Sequence, residues 1–343
     1  MKPREVVLAA LNHEDCGEVP YTLPIEPDVI KRLDAHYGTT EWHKKLTNYM
    51  LGVASLDTDF KEAVSDTHVR DAYGGIWRQD MRPWHLETVP LKEPTLDGYD
   101  FPKAEFFYRP EWIESNKKRI AEDNGERLVV GNLGWGLFER SWNLRGFENV
   151  LMDYVAEQDF VGEVLDKLCD LYLLFIKHTT ENFKIDAIHF GDDWGDQRGV
   201  IMGPEIWRKL IKPRQAKIYA ACKAAGVYSL QHTCGSVTDI IPDLIEIGLD
   251  CLESCQPEAA GMDSFELKKK FGDKLTFWGC LGSQSIIPYG TPAELTAHID
   301  LLRREMGKGG GFIMMPAKPL MPETPTENAV AIVEAFAAGP YAN

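Results

Sequence analysis

From residue 185 onward, short apolar runs alternate with longer segments whose apolar residues recur at helical spacing. The runs at 186–190, 227–231, 249–254, 275–279 and 311–315 have the length and near-continuous apolar character of strands buried on both faces. Between the first two, Trp207, Leu210, Ile211, Ile218, Ala221, Cys222 and Ala225 mark one face of a helix. Gly203 and Pro204 open it, Pro213 kinks it and Gly226 ends it. A short helix follows at 240–247, and another at 264–271 with Asp263 as its cap. Thr291 to Glu294 and Thr324 to Glu327 each form a capping box with proline at the first helical position.

Strand starts recur roughly every 23 to 40 residues, the rhythm of βα units that build a parallel sheet. No glycine-rich dinucleotide turn follows any of these strands, and residues able to bind metal or polar ligands follow several of them. A closed barrel gathers all its strand ends at one mouth, whereas an open sheet offers one crevice. The expected fold is therefore α/β, a (β/α)8 barrel of the TIM type, in a single domain over residues 1–343. The N-terminal half is less regular. Val19 to Leu23 is the expected first strand and 127–132 a later one, while 56–112 is expected to be an N-terminal elaboration covering the mouth.

A hydrophobic content of 44% with 26% charged residues is that of a globular chain, which excludes a disordered or fibrous one. The net charge of −16 argues against nucleic-acid or anionic-membrane partners, since both would repel this surface. No apolar run approaches the roughly 18–20 residues that span a bilayer, and the first residues lack a signal peptide's apolar core. The chain is expected in the cytoplasm, with its cysteines as thiols. Cys169 and Cys222 fall on apolar helix faces and read as small buried residues.

His232 and Cys234 terminate a predicted strand two residues apart, so imidazole and thiolate project to the same side. Zinc favours this nitrogen-and-sulfur mix, and a catalytic site uses three protein ligands and leaves one position open. Gly235 permits close backbone approach. The plain alternative is a buried imidazole with a structural thiol. The third ligand is expected from another strand end: Cys255 first, then Cys280, with Glu253 also placed by topology. Asp192 and Asp193 sit between glycines after the 186–190 strand, as candidates for a general acid or base or for holding a polar substrate group. Trp194 and Gln197 in that loop are candidate substrate contacts; His189 reads as a barrel-interior residue. Asn132 and Trp135 lie among Gly131, Gly134 and Gly136, which suggests close backbone approach beside an aromatic wall, again for substrate.

Several stretches resemble the uroporphyrinogen decarboxylase superfamily: Gln231 to Val237, segment 241–250, Phe277 to Gly279, Tyr289 to Pro292, Pro322 to Asn328, and the opening from Arg4 to Pro20. The resemblance runs over nearly the whole chain and implies a (β/α)8 barrel. That superfamily holds decarboxylases and zinc-dependent methyltransferases that serve corrinoid proteins. The decarboxylases carry porphyrinogen-binding arginines after the first strand, whereas Tyr21 to Pro27 contains none. His232 and Cys234 match the methyltransferases' His-x-Cys pair, and Lys318 stands where those enzymes have their third ligand, a cysteine. Either Cys255, Glu253 or Cys280 replaces it, or zinc is absent and Lys318 binds an anionic substrate. The resemblance thus implies zinc-assisted methyl transfer between a small methylated substrate or thiol and a corrinoid on a partner protein. The alternatives are a metal-independent decarboxylase or lyase using Lys318 and an aspartate, and a non-catalytic corrinoid- or ligand-binding barrel.

Overall fold

The structure, a computed structural model, describes residues 1–339. Strand β1 (Met50–Val53) precedes four short strands, β2 (Lys61–Ala63), β3 (His68–Asp71), β4 (Ile76–Arg78) and β5 (His85–Thr88). Then come β6 (Leu128–Trp135), β7 (Ala187–Gly191), β8 (Tyr228–His232), β9 (Cys251–Ser254), β10 (Thr276–Leu281) and β11 (Phe312–Pro316). The strands β1 and β6 to β11 form one parallel sheet in sequence order.

An extended segment at Tyr21 adds to the far side of β11. Met314 donates to the Pro20 carbonyl and accepts from Thr22, both at 2.9 Å. The same tyrosine reaches towards β1, where its hydroxyl accepts from the Thr47 amide at 2.8 Å and its ring meets Tyr49 edge-on at 5.1 Å. Each of these eight strand segments is followed by a helix, from Pro27–Tyr37 after the first to Thr326–Ala337 after the last. The alternation is compatible with a TIM-type barrel whose seam between the Tyr21 segment and β1 is held by side chains. The longest helix, Gln158–Asn182, turns Phe160, Val164, Leu168, Leu171, Phe175 and Ile176 inward at helical spacing. Among the described residues, no helix is long and apolar enough to cross a membrane.

Every residue of β9, β10 and β11 is buried, which is why these strands read as continuous apolar runs. At Pro213 the helix takes a specific form. A π-turn at Trp207–Ile211 runs without a break into the α-helix Lys212–Ala224, and this wider turn lies just before Pro213, which has no amide to donate to the helical ladder. Asp263 and Thr291 cap as expected, accepting from the Glu266 amide at 2.9 Å and the Glu294 amide at 3.3 Å. The last helix starts one residue later than its capping box predicts, with Pro325 in place of Thr324 at the cap; Thr324 is buried and its carbonyl is taken by Arg32. Cys169 and Cys222 are buried, and burial pushes their thiols up to about 11 and about 12.

The 56–112 segment is more ordered than its composition suggests. Strands β2 to β5 form a separate antiparallel sheet that packs on the helix Leu137–Arg145. Asp71 accepts from Asn143 at 2.9 Å, and the Trp77 and Trp142 rings lie 5.9 Å apart. This sheet stands beside the barrel mouth. Among the described residues, none from 56–112 lines the central cavity.

Gly279 bears on the site directly, because it brings β10 against β9 with a φ of +132°. A Cβ there would run into the Ser254 carbonyl. Gly279→Ala is therefore expected to lower the unfolding free energy by more than about 1 kcal/mol in urea denaturation. Unchanged stability would show that the two strands have slack at this point.

Candidate active site

The ends of β7, β8 and β9 are neighbours in register, with Gly191 opposite His232 and His232 opposite Glu253. Glu253 is buried, and one of its oxygens bonds His189 Nε2 at 2.7 Å and His232 Nδ1 at 3.0 Å. Burial alone would push this carboxyl up. The charge of His232 and the bonds from both rings outweigh it and hold the group well below the usual carboxylate range. His232 moves the other way: burial lowers it, but Glu253, Asp193 and Cys234 together raise it well above the ordinary imidazole value.

With Nδ1 engaged by Glu253, the other nitrogen of His232 faces the loops. Nε2 lies 3.2 Å from Asp193 Oδ1 and 3.5 Å from Cys234 Sγ. Asp193, His232 and Cys234 each offer one ligand atom, and these atoms lie within 4.8 Å of one another. Ligands about 2.0–2.3 Å from one tetrahedral zinc ion stand roughly 3.3–3.6 Å apart, so the donor set suits that ion in number, kind and spacing.

Two glycines hold the loops in place. A Cβ on Gly195 would meet the Cys234 and Ser236 carbonyls at 2.7 and 2.6 Å, and one on Gly235 would meet Gly195 at 2.6 Å. The loops after β7 and β8 therefore interlock backbone to backbone. Ser236 donates to the Asp196 carbonyl at 2.7 Å, and the Cys234 amide donates to Asp193 at 2.9 Å.

The trio opens into a cavity of about 780 Å³ at the C-terminal ends of the strands, the usual position for the active sites of such barrels. Leu23, Met50, Val130, Trp278 and Met315 form its apolar walls, and Thr22, Asn132, His189 and Lys318 its other polar points. Trp278 is fixed by its indole N–H donating to Thr22 at 2.9 Å.

Residues 139–338 match the uroporphyrinogen decarboxylase (URO-D) family, more than half of the chain. The chain belongs to the uroporphyrinogen decarboxylase family. Among solved structures, a methyltransferase from Methanosarcina mazei is 18% identical to this family member, covers 98% of each chain and superposes with a TM-score of 0.71. A Bacillus subtilis mannanase is 10% identical over 92% of this chain and 87% of its own, at a TM-score of 0.41. No curated protein matches the sequence.

The structure keeps some candidates and moves others. In this family member His232, Cys234, Asp193, Asn132 and Lys318 all line the central cavity. Asp192 does not. It is buried and accepts from the Phe138 and Glu139 amides at 3.0 and 2.8 Å and from the Trp194 indole at 2.6 Å. It thus caps the helix Leu137–Arg145 from another loop, and burial pushes its carboxyl up to about 7 despite those bonds. Trp194 is fully buried, and Gln197 is exposed with its backbone carbonyl held by the Ala260 amide at 3.0 Å; neither lines the central cavity. Trp135 lines a different cavity.

Cys255 and Cys280 stand outside the donor set, because the strand ends that carry them are twisted. Ser254, Cys255 and Cys280 have φ of +88°, +41° and +72°, and the Cys255 thiol turns back to the Leu252 carbonyl at 3.2 Å. The third donor is Asp193, which the sequence offered as an acid or base. Glu253 bonds the His232 ring from outside that trio, and His189, read as an interior residue, is both interior and cavity-lining.

Asp192→Ala strands two amides and an indole N–H, and is expected to cost about 3 kcal/mol of stability in chemical denaturation. Loss of activity at unchanged stability would instead make Asp192 a catalytic group.

Proposed function

We propose that this single-domain barrel is a methyltransferase that moves a methyl group between a small methylated substrate or thiol and a corrinoid carried by a partner protein, with zinc at Asp193, His232 and Cys234. The observation that carries the reading is the trio of nitrogen, sulfur and oxygen donors converging at the floor of an apolar cavity in this family's barrel. The overall likeness to a methyltransferase structure across 98% of both chains supports it. Bound zinc supplies Lewis acidity, which activates a leaving group or favours a thiolate nucleophile at neutral pH.

The chain's own residues do the rest. Glu253 fixes the tautomer and tilt of His232, so that Nε2 is the nitrogen offered to the metal. The Leu23, Met50, Trp278 and Met315 walls exclude water from the body of a small substrate, while Thr22 and Asn132 offer polar contacts for orienting it. Lys318, exposed on the rim, supplies a positive charge for an anionic group on the donor or acceptor. It is the cavity's one permanent cation among the described lining residues, which suits a small substrate and not a porphyrinogen with many carboxylates.

A metal-independent lyase would rest on Lys318 and Asp193 alone, since Asp192 is committed to the fold. Elemental analysis separates the two readings. About one zinc per chain is expected, lost in His232→Ala and Cys234→Ala and retained in Cys255→Ala. Glu253→Gln is expected to weaken zinc roughly 10–100-fold without abolishing binding. Zinc should also protect Cys234 from iodoacetamide, leaving Cys16 as the other partly exposed thiol to react. With zinc bound, demethylation of methylcobalamin by candidate thiols should be visible in its absorption spectrum. No spectral change with any thiol or methyl donor tried would count against methyl transfer.

A further inference from the structure

The antiparallel sheet, the end of β6 and the helix Leu137–Arg145 enclose a second cavity of about 240 Å³, which shares no lining residue with the first. Its walls are the indoles of Trp77, Trp84 and Trp135, and its charged groups are Asp59, Lys61, Asp71 and Arg140. The charges are not equivalent. Asp71 accepts from the Tyr73 and Gly75 amides and from Asn143, each at 2.9 Å, and from the Trp77 indole at 2.7 Å. Its acceptor sites are filled by neutral donors within the protein, so it shapes the wall and offers little to a ligand.

Arg140 is the opposite case. It is only 3% exposed, and its guanidinium carbon lies 4.9 Å from the Tyr73 ring and 5.2 Å from the Trp135 ring. One nitrogen, Nη2, donates to the Thr58 carbonyl at 2.8 Å and to Asp59 at 3.2 Å, while buried Nε has no partner among the described residues. A guanidinium has five donors, and leaving them unmet in a dry site is costly. Its one carboxylate partner, Asp59, has a side chain 63% exposed and is easily exchanged for another. Lys61 adds a second cation, with Nζ 4.5 Å from the centre of the Trp84 ring.

Protein cations therefore already sit on two of the indole faces. A cationic ligand would meet repulsion there, and an anionic head group would meet two positive charges beside flat aromatic surfaces. The volume falls below the roughly 300–1,000 Å³ of sites for drug-sized ligands, which limits the occupant to about one ring. We propose that this cavity is a second small-molecule site, for a one-ring aromatic carboxylate. The ring lies among the three indoles, and the carboxylate takes the place of Asp59 between Arg140 and Lys61. The proposal does not depend on the metal.

Calorimetric titration of the full-length protein with sodium benzoate tests it. Saturable binding is expected, with Kd raised at least about tenfold in both Trp84→Ala and Lys61→Ala, a loss of about 1.4 kcal/mol each. Both are exposed residues, so the fold should survive, which circular dichroism verifies. Lys318→Ala should leave Kd within about twofold. The proposal is overturned by absence of saturable binding, by an unchanged Kd in either cavity variant, or by loss of binding in Lys318→Ala, which places the anion in the central cavity. Tighter binding of phenyltrimethylammonium than of benzoate also overturns it and assigns the indoles to a cation.

Discussion

A carboxylate taken out of water between two imidazoles constrains the whole site. An isolated buried carboxylate would cost several kcal/mol, and Glu253 is tolerated because His189 and His232 both bond it. Those three residues come from three adjacent strands, so the pairing fixes the ends of β7, β8 and β9 relative to one another. It also decides which nitrogen of His232 is free. Because Nδ1 is engaged, Nε2 meets Asp193 and Cys234, and the donor set exists only in that tautomer.

The loop after β7 divides its two carboxylates between architecture and chemistry. Asp192 points back to cap the helix Leu137–Arg145, and Asp193 points into the mouth. The capped helix also carries Arg140, the buried cation of the second cavity. One helix therefore connects the loop after β7 to the antiparallel sheet, with its N-terminus held by the first and its body packed on the second.

The barrel was legible where burial on both faces writes a continuous apolar run, as in β9, β10 and β11. It was not legible at β1, where four residues include an exposed Gly52 and leave almost no pattern. The antiparallel sheet was hidden for a related reason: its strands are three or four residues long, and β2 is exposed throughout. At the site, His232 and Cys234 follow from spacing on an extended chain, and Gly235 from the need for close approach. Which of two adjacent aspartates faces inward depends on how a loop turns, and alternation along the chain cannot decide it. Cys255 and Cys280 misled for a physical reason. Strand-end topology assumes that extended backbone continues, and left-handed residues at Ser254, Cys255 and Cys280 break that assumption. In the second cavity, Trp77 and Trp84 belong to one hairpin while Trp135 comes from the end of β6, far along the chain, so its meeting with them is a property of the packing alone.

The proposed zinc site consists of His232, Cys234 and Asp193, with no second cysteine. X-ray absorption at the zinc edge of the loaded protein tests it most directly, because sulfur and lighter ligands differ in distance by about 0.2–0.3 Å. One sulfur near 2.3 Å is expected, with the remaining ligands nitrogen or oxygen near 2.0–2.2 Å. Two or more sulfurs in the shell would bring Cys255 or Cys280 back as ligands and rule out the one-cysteine donor set.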